Sequence, residues 1–354
     1  MAANQKFLIL VLIIVLFPAI VLGDCTCDDD DDDRNRSLAL KYKSGAIASI
    51  LVASFIGVLL PVWGKKIPSL SPENNLFFVI KAFAAGVILA TGFIHVLPDA
   101  FESLTSPCLP DNPWGKFPFT GFVAMLASIG TLMVDVYATS HYKKMAGNKG
   151  IQAVAEEGDR NGESNLSGVL PLHTHATHGH AHTSLSMDGD TLSTQLRYRV
   201  ISQVLELGII VHSVIIGIAM GASDSPKTIR PLLAALTFHQ FFEGVGLGGC
   251  ITQAKFNARA ITIMAIFFSL TTPAGIAIGI GIANVYNENS PKALIVQGIF
   301  DSASAGILIY MALVDLLSAD FMNPKMQNNG KLLMGANVSL LFGAGCMSLL
   351  AKWA

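Results

Sequence analysis

The sequence predicts an all-α, polytopic membrane protein of eight transmembrane helices. Three observations carry that expectation. Only 14% of the 354 residues are charged against 52% hydrophobic, with a mean hydropathy of +0.53; a soluble domain is about 25% charged. The apolar residues fall in blocks of about twenty, the length that crosses a hydrocarbon core of roughly 30 Å. Proline marks the links between blocks, at Pro61 and Pro68, Pro107 to Pro118, Pro226 and Pro231, Pro291 and Pro324. Lipid offers a backbone no hydrogen bonds, so each block must be a helix. The lipid bilayer is therefore a partner, and a net charge of −2 speaks against nucleic acid.

The first element is not counted among the eight. Met1 to Gly23 holds one Lys, a nearly all-apolar run from Phe7 to Leu22 and a small residue at its end. It reads as a secretory signal peptide rather than an extra helix. Residues 24–44 then form an acidic tail outside. In it, Cys25-Thr26-Cys27 and the run Asp28–Asp33 could gather cations or simply keep the tail solvated.

Helices 1–3 are expected within 45–141, at Gly45–Trp63, Leu76–Leu97 and Phe119–His141. Residues 142–196 are long, polar and rich in Gly, Ser and Glu, so a disordered cytoplasmic link is expected there. Helices 4 and 5 follow within 197–250, at Val200–Gly221 and Leu232–Cys250. Helices 6–8 lie within 251–354, at Ala260–Ala283, Ala293–Leu317 and Leu332–Leu350. With the tail outside, most basic link residues, such as Lys65, Lys66, Lys143, Lys144 and Arg197, fall inside. Arg34, Arg36, Lys41 and Lys43 run against that bias. Cys108, in an outer link, could pair with Cys25 or Cys27; Cys250 and Cys346 read as packed thiols.

The chemistry lies in the few ionisable groups inside apolar blocks, each of which costs several kcal/mol in lipid. Helix 5 reads Thr237-Phe238-His239-Gln240-Phe241-Phe242-Glu243-Gly244. His239 and Glu243 share one helix face. They can grip a metal ion, with Gln240 adding an oxygen, or form a hydrogen-bonded pair that glues helices together. His212 sits mid-block in helix 4, beside Ser213. Alone it would be a packed histidine. With a second intramembrane histidine in the next, antiparallel helix, two imidazoles and a carboxylate make a ligand set for zinc or ferrous iron.

His95 and Asp99, four apart at the outer end of helix 2, read as an entrance station or an interfacial cap. Asp135, Glu206, Asp301 and Gln297 read first as packing or snorkelling groups, and Lys81 as a snorkelling lysine. The long link carries His173, His175, His178, His180 and His182, five imidazoles that bind divalent metals weakly or merely punctuate a solvated linker.

Together these features resemble the ZIP (Zrt- and Irt-like) family, and within it the plant zinc- and iron-regulated members. The resemblance rests on eight spans, the His-rich link between helices 3 and 4, His212-Ser213, His239 through Gly244, and the ending Ala351-Lys352-Trp353-Ala354. It implies a 3+2+3 helix arrangement, an elevator-like or rocking alternation, a homodimer, and import of divalent transition-metal ions toward the cytosol. Zinc and ferrous iron come first as cargo, then manganese, cobalt and cadmium. It makes His212, His239 and Glu243 the primary ligands, with Ser213 and Gln240 beside them and His95, Asp99 and Glu102 lining the outer approach. Similar chains with two metals carry acids where this one has Ile216 and Gln240, so one ion at a time is expected. The expected membrane is the plasma membrane, with an internal one as the alternative. No resident cofactor is expected. No enzyme is expected either, because the His-Glu-x-x-His motif of metal-dependent hydrolases is absent. The remaining rival is a membrane metal sensor that signals through the His-rich link.

Overall fold

The computed structural model describes residues 35–64, 74–159, 183–283 and 290–352. Among the described residues there is no strand, and eight long helices carry the fold. They are α1 (Arg36–Gly64), α2 (Asn75–Leu104), α3 (Phe119–Asp159), α4 (Thr183–Ala222), α5 (Pro226–Gln253), α6 (Ala258–Ile282), α7 (Pro291–Phe321) and α8 (Gly330–Ala351). The links supply the start signals. Asn74, Ser225, Asn257, Ser290 and Asn329 each accept a hydrogen bond from a backbone N–H of the first turn, and Pro226 and Pro291 open their helices.

Seven of these helices are long and apolar enough to cross a membrane. The other is α5, made too polar by Lys227, Arg230, His239, Gln240 and Glu243. Its composition is tolerable because its neighbours bury it from His239 almost without a break to Thr252.

Several helices run past their sequence bounds. α1 begins at Arg36 rather than Gly45, and its Lys43 is buried against Asp224 at 3.4 Å. That pairing accounts for one tail cation that ran against the charge bias. α2 continues to Leu104, so Asp99 and Glu102 are helical. The expected disorder over 142–196 does not hold at either end, where α3 continues to Asp159 and α4 starts at Thr183. Lys, Ala and Glu, all good helix formers, recur between Lys143 and Glu157. The signal peptide, Cys25, Cys27, Asp28–Asp33 and His173 to His182 lie outside the described residues. Cys108 is disulfide-bonded, whereas Cys250 and Cys346 are free thiols.

Packing sorts the helices into two groups. In one, α1 lies on α5 and α6, and α4 lies on α5 and α6; in the other, α2 lies on α7 and α8, and α3 lies on α7. The groups meet where α4 and α5 face α2 and α7, and where α3 lies on α4. Lipid supplies no hydrophobic drive between helices, so close backbone approach must hold each group. Gly217 and Gly221 of α4 meet Gly275 and Gly279 of α6 in this way: a Cβ on Gly279 would lie 2.7 Å from the Gly221 Cα. Between the groups runs an apolar seal that includes Ile88, Ile209, Leu247, Leu308 and Leu316. Lys81 corrects the snorkelling expectation. Its Nζ lies 2.8 Å from Asp320 of α7, with the two side chains 1% and 6% exposed.

Candidate metal centre

His212 reaches inward from α4, and His239 and Glu243 from adjacent turns of α5. Each offers one ligand atom, and the three atoms lie within 4.8 Å of one another. All three residues are fully buried. The two imidazole centroids are 5.7 Å apart. Glycines permit this register. Gly244 and Gly248 seat α5 against Gly57 and Val58 of α1, and Gly246 faces Ile88 of α2.

Neither ring nitrogen of His212 or His239, and neither carboxylate oxygen of Glu243, has a hydrogen-bond partner among the described residues. The hydrogen bond between His239 and Glu243 that the glue reading requires is therefore not formed. A buried polar group without a partner costs about 1–3 kcal/mol, more when charged. Six such atoms at one point need a common reason. A dication supplies one, since two imidazoles and a carboxylate suit zinc or ferrous iron.

The neighbours divide. Ser213 is buried beside His212, and its Oγ has no hydrogen-bond partner among the described residues. Gln240 is also buried, but its Oε1 accepts a hydrogen bond from Thr272 of α6 at 3.3 Å. The oxygen expected to face an ion is thus turned to α6. Thr272 was not legible beforehand, because a threonine in an apolar helix usually bonds its own backbone.

His95 lies deeper than an entrance station. Its ring centroid is 6.2 Å from that of His239, it is 3% exposed, and its Nε2 has no hydrogen-bond partner among the described residues. It stands in a wide π turn, Thr91–Val96. Pro98 follows, and its missing N–H loosens the helix there. On the other side of His95, Asp99 approaches Nδ1 at 3.9 Å with 42% of its side chain exposed. His95, Asp99, Glu102, Ser223, Thr228 and Gln297 line a single cavity of about 370 Å³. The outer-approach residues therefore do converge, and His95 links their cavity to the buried ligands.

Two of the other polar candidates are held by partners from neighbouring groups. Asp301 is buried and hydrogen-bonded by Gln297, and Asp135 accepts from Tyr310 at 3.3 Å. Asp315 was missed: it is buried in another π segment, Met311–Ser318 of α7.

Comparison with known proteins identifies the family. A family model described as ZIP Zinc transporter matches residues 40–351. The chain is 56% identical over 316 residues to Zinc transporter 3 of Arabidopsis thaliana, covering 89% of this chain and 86% of that protein. It is 54% identical over 341 residues to Zinc transporter 8 of Oryza sativa subsp. japonica, covering 88% and 87%. It is 50% identical over 323 residues to Fe(2+) transport protein 2 of the same plant, covering 89% and 86%. The match spans the helices that bring His212, His239 and Glu243 together, and the chain belongs to the ZIP zinc transporter family.

Proposed function

We propose that this protein imports divalent transition-metal ions, zinc and ferrous iron first, toward the cytosol, and that His212, His239 and Glu243 hold the ion midway. One observation carries the reading: three buried donors without hydrogen-bond partners converge beneath an acid-lined cavity. Asp99 and Glu102 draw the dication into the cavity. His95 takes it inward, and it exchanges water for two imidazoles and a carboxylate. The apolar seal below keeps the path closed on the opposite side. Sliding of the α1, α4, α5 and α6 group against the other four helices would then open it inward.

The imidazoles of the His-rich link receive the ion. One ion moves at a time, because Ile216 offers no ligand and the Gln240 oxygen is engaged by Thr272. Ligand exchange must be fast, so the shell stays incomplete and partly hydrated. The cargo is substrate, and no resident cofactor or enzymatic step is needed. We place α5 across the membrane with the other seven helices in the 3+2+3 order, in a plasma-membrane homodimer. Zinc and iron(II) transport in the named relatives supports the cargo. No relative named here supports the sensor reading.

Labelled-zinc uptake into cells expressing the chain tests this. Saturable uptake above background is expected, competed by ferrous iron and weakly by manganese, cobalt and cadmium. Asp99→Asn with Glu102→Gln should raise KM several-fold while sparing the maximal rate. Uptake no greater than in cells lacking the protein would refute the assignment.

A further inference from the structure

A second cavity, of about 670 Å³, opens between α4 and α7, and none of the proposed metal ligands lines it. α4 contributes Val214, Ile218 and Ala219; α7 contributes Lys292, Val296 and Phe300, with Ser290 just before its first turn. The lining is apolar except at its edges. Lys292 and Ser290 lie at the end where α7 begins, and Gln297 lies on the wall. Val296 is 40% exposed, so the groove faces outward from the protein.

Three features say what fits it. From Lys292 to Phe300 the groove follows α7 for about 12 Å at the helical rise. That is close to one leaflet, half of a core of about 30 Å. Its single charge is a lysine at the start of a spanning helix, where a headgroup would sit. The groove and the acid-lined cavity also share two residues, Ala219 and Gln297. Whatever fills the groove therefore backs the wall of the ion path. It also sits between two helices that belong to different packing groups.

We propose that this groove is a binding site for one phospholipid, with an acyl chain between α4 and α7 and the phosphate on Lys292. The lipid seals the ion path from the side. It also forms part of the sliding surface, so transport rate depends on membrane composition. The groove separates this claim from the metal site, because it contains no proposed ligand.

Native mass spectrometry of the full chain, purified in detergent and offered phosphatidylglycerol or a phosphate-free galactolipid, tests the site. Wild type should retain one phosphatidylglycerol per chain. Lys292→Gln should weaken that retention about fivefold, the worth of one lysine at an anionic surface, and leave the galactolipid unaffected. Val296→Trp, which fills the groove from an exposed position, should lose both lipids while still binding one zinc. Zinc binding shows that the variant is folded and that the metal reading stands independently. Four results would overturn the proposal. These are no lipid on wild type, equal retention in Val296→Trp, Lys292→Gln indifferent to the phosphate, and a second copy of the chain in place of lipid on this face.

Discussion

Replacing His239 or Glu243 by alanine should abolish zinc uptake while the protein still reaches the membrane in normal amount. Both residues are fully buried, and their polar atoms have no hydrogen-bond partners among the described residues, so truncation breaks no internal bond. Folding should survive, because removing such groups relieves a desolvation cost. Transport should not. Loss of a residue that merely orients a ligand costs 10–100-fold in metal affinity, and losing a ligand costs more. Labelled-zinc uptake normalised to surface protein checks this. Full uptake by either variant would remove the residue from the path. Deleting Leu172–His182 should, by contrast, leave most uptake intact, since the His-rich link only receives the ion.

The second large effect falls on stability. Lys81→Met should destabilise the protein by about 3–5 kcal/mol, because it leaves Asp320 charged and buried without its partner. The pair spans 2.8 Å between α2 and α7, and the lysine stem rests against Gly249 of α5. Adding Asp320→Leu to Lys81→Met should recover most of the loss, since two apolar groups need no partner. Thermal unfolding in detergent, read as Tm, compares the single and double variants. A single variant as stable as wild type would mean that water reaches Asp320.

The sequence showed the helices because lipid demands them. An apolar block of about twenty residues has one viable backbone conformation. His212, His239 and Glu243 were legible for the same reason: an ionisable group in such a block needs a purpose. Their bounds were less legible. Helix ends are set by capping residues such as Asn74 and Ser290, which lie outside the apolar blocks. Contacts between distant helices were not legible at all. Lys81 lay near a predicted helix end and looked free to reach water, yet Asp320 meets it from α7. Thr272 gave no signal either, because its role depends on how α6 faces α5. The depth of His95 was hidden by the π turn, which rotates it relative to an ideal helix.

X-ray absorption at the zinc edge, on purified chain lacking Leu172–His182 and loaded with one equivalent of zinc, probes the convergence of the three ligands most directly. The expected spectrum contains two imidazoles and further oxygens, with no sulfur, at about 2.0–2.2 Å. His212→Ala and His239→Ala should each remove one imidazole from it. A sulfur ligand, or an imidazole count unchanged in both variants, would contradict the shared site.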